Sequence, residues 1–187
     1  MDVKRAIQGR RAYRSLDPVE ITEDLITDLA DSARLAPSCF NNQPWRFVFA
    51  YDPETLKELH TALSRGNEWA QQASMIIAVF SKPDLDCIVG EREYYLFDMG
   101  TATAFIILRA TELGLVAHPI AGFRERRVKR ILEIPEEMRL ITLVMVGKHS
   151  EAISPVLTEG QIESEKTRPE RMPMEKFVYI NKYIEGE

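Results

Sequence analysis

Two stretches, SMIIAVFS (residues 74–81) and RLITLVMVG (139–147), run apolar almost without interruption. A strand with one face in water alternates apolar with polar residues, whereas a run without alternation has both faces covered. Both stretches therefore read as buried strands, and the segments between and around them have to supply the cover.

Several segments carry helical signals. Val3 to Gly9 reads as a short first helix. Thr22 is an N-cap candidate for a helix over 23–36, in which Leu25, Ile26, Leu29, Ala33 and Ala36 recur at helical spacing before Pro37 ends it. Asp52 followed by Pro53 opens another helix over 53–65. The longest helical pattern spans 92–114, where Met99 to Leu108 is apolar or small nearly all round and implies burial on more than one face. Gly100, Ala102 and Ala104 permit close backbone approach there, and Gly114 marks the C-terminus. RERRVKRILEI (124–134) is a basic amphipathic helix, while WRFVFAY (45–51) and LVAHPIAGF (115–123) read as strands, the second ending in a turn.

From Lys148 to Met174 apolar periodicity disappears, so this tail is expected to leave the core. EKFVYINKYI (175–184) nevertheless alternates like a strand, and a strand needs a partner, which points to another subunit. Helices and strands alternate without repeats, giving an α+β or α/β class. At 187 residues the chain fits one domain, 1–187, that buries roughly 70% of its unfolded surface.

A formal charge of −5 excludes the broad basic footprint that non-specific nucleic-acid binding needs. MDVKRAIQGRR has no apolar h-region and no run is long enough to span a membrane, so a soluble, cytoplasmic protein is expected. Cys39 and Cys87 form no CxxC pair, and the compartment rule reads them as two reduced thiols.

Three constellations carry candidate chemistry. Arg10, Arg11 and Arg14 are either a solvated face or an anion clamp. They fall near a helix C-terminus, whose dipole repels anions, so a phosphate there would depend on several side chains at once. APSCFNNQPWRF (36–47) sets Ser38, Asn41 and Gln43 beside Trp45 and Arg46: either a connection leading into a buried strand, or a hydrogen-bonding edge for a flat polar ligand. In HPIAGF (118–123) the lone His118 reads as a core residue, whereas the N–H groups of Ala121 and Gly122 are free to face a ligand. No GxGxxG, Walker loop, GxSxG elbow or HExxH occurs, and His60, His118 and His149 lack zinc-ligand spacing. Any catalytic atom therefore belongs to a cofactor.

GRRAYRS, APSCFNNQPWRF, HPIAGF, LEIPEEMRLITLVMVG and RMPMEKFV, in this order, resemble the nitroreductase family of flavin enzymes along nearly the whole chain. The resemblance implies an α+β, three-layer α/β/α sandwich and an intertwined homodimer. Residues 148–187 would reach the partner and add a C-terminal strand to its sheet. It implies FMN in two interface sites, with Arg10, Arg11 and Arg14 on the phosphate and the ring's pyrimidine end. Ala12 stands where relatives often carry serine. Pro37, Ser38, Cys39, Asn41 and Gln43 would come from the other subunit, and Pro119, Ile120, Ala121 and Gly122 would pass the ring's reactive edge. Arg171, or Arg168 nearby, would complete the phosphate site. The implied activity is hydride transfer from NAD(P)H through flavin N5 to nitroaromatics, quinones or similar acceptors, with no dedicated catalytic side chain. Alternatives are a flavin-binding or sensing protein, or a destructase or dehalogenase branch of the superfamily. Two departures stand out. Ala121 replaces a frequent acidic residue, and the short stretch from Ser81 to Tyr94 predicts an open site, or one lidded by Phe40 and Tyr95.

Overall fold

In a computed structural model that describes residues 2–183, Met75–Ser81 and Arg139–His149 lie side by side and antiparallel, with Ile77 opposite Val144 and Ile76 opposite Met145. Along the chain the elements are α1 (Val3–Gly9), β1 (Leu16–Asp17), α2 (Glu23–Arg34), β2 (Arg46–Ala50), α3 (Pro53–His60), β3 (Met75–Ser81), β4 (Ile88–Val89), β5 (Arg92–Glu93), α4 (Tyr94–Glu112), β6 (Leu115–Ile120), α5 (Glu125–Ile131), β7 (Arg139–His149) and α6 (Glu159–Lys166). Strand β7 is the axis of the main sheet: β6 pairs on one side, β3 and the short β1 on the other, and β2 extends the sheet beyond β3, all antiparallel. The 88–93 stretch forms a separate small hairpin of β4 and β5.

The two apolar runs explain the layering. Alternate residues of a strand point to opposite faces. Met75, Ile77 and Val79 join Val144 and Val146 in one core with Leu29 and Ala33 of α2 and Met99, Ala102, Ile106 and Ala110 of α4. Ile76, Ala78 and Phe80 join Leu143 and Met145 in a second core with Leu59, Trp69 and Val128. Helices α2 and α4 thus cover one face, α3 and α5 the other. Each fully buried Leu, Ile or Met contributes about 2 kcal/mol, which is why both runs keep polar residues to their ends and to Thr142.

The caps hold as expected. Thr22 accepts from the Leu25 N–H and Asp52 from the Thr55 N–H, with Pro53 in the first turn. Gly114 adopts φ +77°, a left-handed conformation that ends α4. Helix α3 stops at His60, five residues before the expected end, because 61–65 turn to meet the 122–124 segment, where Ser64 N–H donates to Gly122 O.

The tail departs from expectation. Residues 148–174 do not leave the core: Ser154 and Leu157 are buried, and α6 opens on a capping box between Thr158 and Gln161. Conversely, 177–183 makes no strand within the chain, and its Phe177, Ile180 and Tyr183 are exposed; the last predicted strand residue, Ile184, lies outside the described residues.

The two-core arrangement predicts unequal costs on β7. Leu143→Ala, at a fully buried position, should lose about 3 kcal/mol, and Ile141→Ala, 40% exposed beside the strand's irregular register, under about 1 kcal/mol. Equal shifts in urea midpoint would show that the faces are wrongly assigned.

Candidate active site

The N-terminal arginines are assembled by a reciprocal clasp with the tail. Arg168 Nη2 donates to the carbonyls of Gln8 (2.7 Å) and Arg10 (2.8 Å) at the open end of α1. Arg11 Nη2 returns the contact to Ser164 O (2.7 Å) and Glu165 O (3.3 Å) at the end of α6. Helix ends leave carbonyls without partners, and guanidinium groups are suited to take them. Between the two, the buried Glu165 carboxylate accepts the N–H groups of Arg14 (2.7 Å) and Ser15 (3.1 Å).

The clasp commits Arg11 and Arg168 to backbone and leaves other guanidiniums near one another. Burial lowers the Arg10 pKa, and the charges of Arg168, Arg171 and Arg11 push the same way. Among the described residues no carboxylate forms an ion pair with Arg10, Arg14 or Arg171. Such crowding in a chain of net charge −5 is costly unless an anion offsets it. Arg14 lies over the Trp69 ring at 5.9 Å.

His118 belongs to the same locality as a packing residue, as the sequence indicates. Only 8% exposed, it stacks on Trp69 at 4.6 Å, and its Nδ1 lies 3.1 Å from Tyr13 O, so the proton sits on Nδ1. Burial, aided by Arg14 and Arg10, drives its pKa down to about 4, against the Tyr13 carbonyl and Glu165. The ring is neutral near pH 7. The chain then leaves β6 through Pro119 and Ile120 to Ala121 and Gly122, whose N–H groups donate to no other described residue. The absent Cβ of Gly122 makes room for Asn67, whose Nδ2 donates to Gly122 O at 3.0 Å; an added Cβ would sit 2.4 Å from that nitrogen. This is a protein contact where the sequence left room for a ligand.

The segment Pro37–Gln43 lies elsewhere. Among the described residues no hydrogen bond, ion pair or ring contact joins it to Arg10–Arg14, to 118–122 or to Arg171. Phe40, Asn41 and Gln43 occupy left-handed backbone at φ 47°, 59° and 51°, a strained set for residues with side chains. Local ties hold them: Ser38 Oγ accepts from Gln43 N–H (2.9 Å), and the Asp98 carboxylate accepts from Cys39 N–H (2.7 Å). Cys39 is also bonded to Cys87, which corrects the expectation of two reduced thiols. The compartment rule carries no geometry, and a separation of 48 residues hid that both cysteines reach the N-terminal end of α4.

Trp45 and Arg46 are structural here: Trp45 packs in the α2/α4 core, and Arg46 Nη1 donates to Gln43 O and Trp45 O. Phe40 is 90% exposed, free to act as a cover. Tyr95 is not a lid, because it is buried in the same core with its hydroxyl held by Arg139 Nη1 at 2.7 Å. Sequence reasoning missed Glu165 and Asp98. The T-x-x-Q box at Thr158 announced the helix that carries Glu165, and a lone carboxylate inside the apolar run LFDMGTA signals buried work for Asp98.

Comparisons with known proteins agree on the family. The nitroreductase family model matches residues 7–84 and 65–148. A protein of Archaeoglobus fulgidus whose name pairs NADH dehydrogenase with NAD(P)H nitroreductase is 31% identical over 147 residues, covering 76% of this chain and 83% of the relative. The NADH dehydrogenase of Thermus thermophilus is 26% identical over 182 residues, covering 81% and 88%. A solved oxidoreductase containing FMN superposes with a TM-score of 0.83 at 27% identity, covering 98% of this chain and 94% of that one.

His118 gives a pH prediction. Its folded pKa lies below the unfolded value, so the unfolded chain binds the extra proton and stability falls as pH drops from about 6.5 toward 4. Between pH 7 and 4.5 the wild type should lose about 2 to 3 kcal/mol more than His118→Gln in urea unfolding. Parallel pH profiles would mean the ring is not held neutral.

Proposed function

The chain belongs to the nitroreductase family, and on that premise we propose that it is a homodimeric, FMN-dependent oxidoreductase that uses NAD(P)H. The observation that carries this reading is the set of guanidiniums without carboxylates, gathered from both ends of the chain. A phosphate monoester brings close to two negative charges at neutral pH, and clustered arginines match it. Arg10, Arg14 and Arg171 would hold that phosphate, while Arg11 and Arg168 fix the backbone that presents them. The free N–H groups of Ala121 and Gly122 would face the edge of the flavin ring, and the exposed positions of Pro37–Gln43 on a second copy would border its other side. FMN, when bound, supplies the two-electron chemistry that takes hydride from NAD(P)H and passes it to a nitroaromatic, quinone or similar acceptor. The chain's own part is to bind, orient and bias charge. A cation such as Arg14 near the electron-accepting end of the ring favours its reduced form.

The dimer has its own support. Leu96, Phe97 and Phe105 of α4 are exposed, as are Val3, Ile7 and Leu35, and a cavity of about 320 Å³ opens between α1, α2 and α4. A second copy would cover this face. The apolar 177–183 segment would pair with the partner's sheet, where β2 has a neighbour on one side only.

Substituting Arg10 and Arg171 together by Gln should weaken FMN binding at least tenfold and flatten its salt dependence, whereas Arg34→Gln, on a surface pair with Asp31, should change little. Equal FMN retention in both variants would sink the phosphate assignment. Anaerobic mixing of the FMN-loaded protein with NADH or NADPH should bleach the flavin; persistence of colour with both donors would mean a binder rather than a reductase.

Gly100→Leu tests the interface. In a single chain an added Cβ at Gly100 meets nothing within 4 Å, so the fold should tolerate it. Sedimentation should show the wild type at twice the 21.5 kDa chain mass and the variant shifted toward monomer. A wild-type monomer would remove the dimer from this reading.

A further inference from the structure

The chain has two cysteines, and both are joined in one bond, Cys39–Cys87. Neither belongs to an apolar core, and a domain of this size needs no covalent staple to stay folded. The bond instead connects two surface segments: the Pro37–Gln43 loop, and the stretch that follows the 3₁₀ turn Pro83–Leu85. Both cysteines are half-buried rather than sealed, the accessibility that thiol–disulfide exchange requires.

The loop on one side of the bond is strained. Phe40, Asn41 and Gln43 hold left-handed backbone, which persists only under restraint from the surroundings. Two restraints come from hydrogen bonds, the Cys39 N–H to the Asp98 carboxylate and the Gln43 N–H to Ser38 Oγ. The segment on the other side is anchored, because Cys87 O accepts the Tyr94 N–H at 3.1 Å where α4 begins. Apart from the disulfide, the described polar links between the two segments come from the exposed Asn42. Its Nδ2 donates to Asp86 Oδ1 at 3.2 Å and lies 3.5 Å from Cys87 Sγ. A surface amide competes with water for such contacts, so it is a weak substitute for a covalent bond.

We propose that Cys39–Cys87 is a redox-sensitive latch on the flavin site: an external dithiol opens it, the Phe40–Gln43 backbone relaxes, and FMN is held less tightly. The latch rests on the reading that this loop, on a second copy, borders the flavin. A loosened loop has to be ordered again when FMN arrives, and that entropy is subtracted from binding. The exchange balances. One thiolate of the dithiol attacks a cysteine sulfur, forming a mixed disulfide as the Cys39–Cys87 bond breaks. The second thiol then closes on the first and releases the remaining cysteine. Two electrons and two protons end on Cys39 and Cys87, and the dithiol leaves as a disulfide.

The test compares full-length, flavin-free protein in the oxidised state with protein reduced by dithiothreitol and desalted anaerobically. Thiol titration of the folded protein should find none before reduction and both cysteines after it. Amide hydrogen exchange over 38–43 should quicken about tenfold on reduction, while β3 and β7 stay protected. Titration with FMN should give a Kd weaker by about fivefold or more in the reduced protein. Cys87→Ser should match the reduced form and ignore dithiothreitol; should that variant fail to fold, the two wild-type states still decide the matter. The latch is overturned if the oxidised protein carries free thiols, or if exchange over 38–43 is the same in both states. An FMN Kd unchanged by reduction also overturns it, and the bond is then a staple only. The thiol count and amide exchange need no flavin, and FMN binding by the oxidised protein tests the assignment of function by itself. The two readings therefore fail distinguishably.

Discussion

The Glu165 carboxylate, shared between the N–H groups of Arg14 and Ser15, holds the rest of the site in place. Hydrogen bonds to a charged group contribute about 1.5 to 3 kcal/mol each. That scale matters because what the carboxylate organises is otherwise unfavourable: two guanidiniums about 8 Å apart repel by about 2 kcal/mol at an effective dielectric near 20. Glu165 acts on the backbone from which Arg14 projects, not on the guanidiniums themselves. Arg11 and Arg168 spend their donors on the carbonyl ends of α6 and α1, so each chain end terminates the other's helix. What is left over, on Arg10, Arg14 and Arg171, is positive charge already assembled before any ligand arrives.

The same logic of prior assembly governs the Pro37–Gln43 segment. Left-handed φ values at Phe40, Asn41 and Gln43 cost of order 1 kcal/mol or more each and persist only where surroundings over-determine them. Here they do: a disulfide, a buried Asp98 and a serine hydroxyl all act within six residues. Asp98 is held in turn by α4, whose apolar burial anchors it beneath the loop. A flexible loop would lose ordering entropy on meeting a ligand; this one has met that cost during folding.

Legibility in the sequence followed the kind of force involved. Strands β3 and β7, the Thr22 and Asp52 caps and the Gly114 stop were readable because periodicity and cap chemistry are local. Helix α6 was not, since it gives the core one half-buried isoleucine, Ile162, and a buried carboxylate, Glu165, rather than an apolar face. The Cys39–Cys87 bond and the burial of Tyr95 depend on which loops meet at the start of α4, and that is tertiary information. The arginines were identifiable as a group, but their division into backbone clasps and free guanidiniums needed the position of α6.

In one chain the two candidate halves stand apart. The arginine cluster and the 118–122 turn are joined through Tyr13, Trp69 and His118, whereas Pro37–Gln43 is fastened to Asp98 and Cys87 at the beginning of α4. On the proposed reading, a ligand reaches both halves either through rearrangement or through a second chain. Rearrangement that broke the disulfide, the Asp98 bond and the Glu165 clasp together would cost about as much as the 5–15 kcal/mol that holds a typical domain folded. A second chain requires only that the apolar face of α4 be covered, which association would favour by itself. On the proposed reading, then, dimerisation builds the site, and the exposed Leu96, Phe97 and Phe105 and the two-part constellation have a single cause.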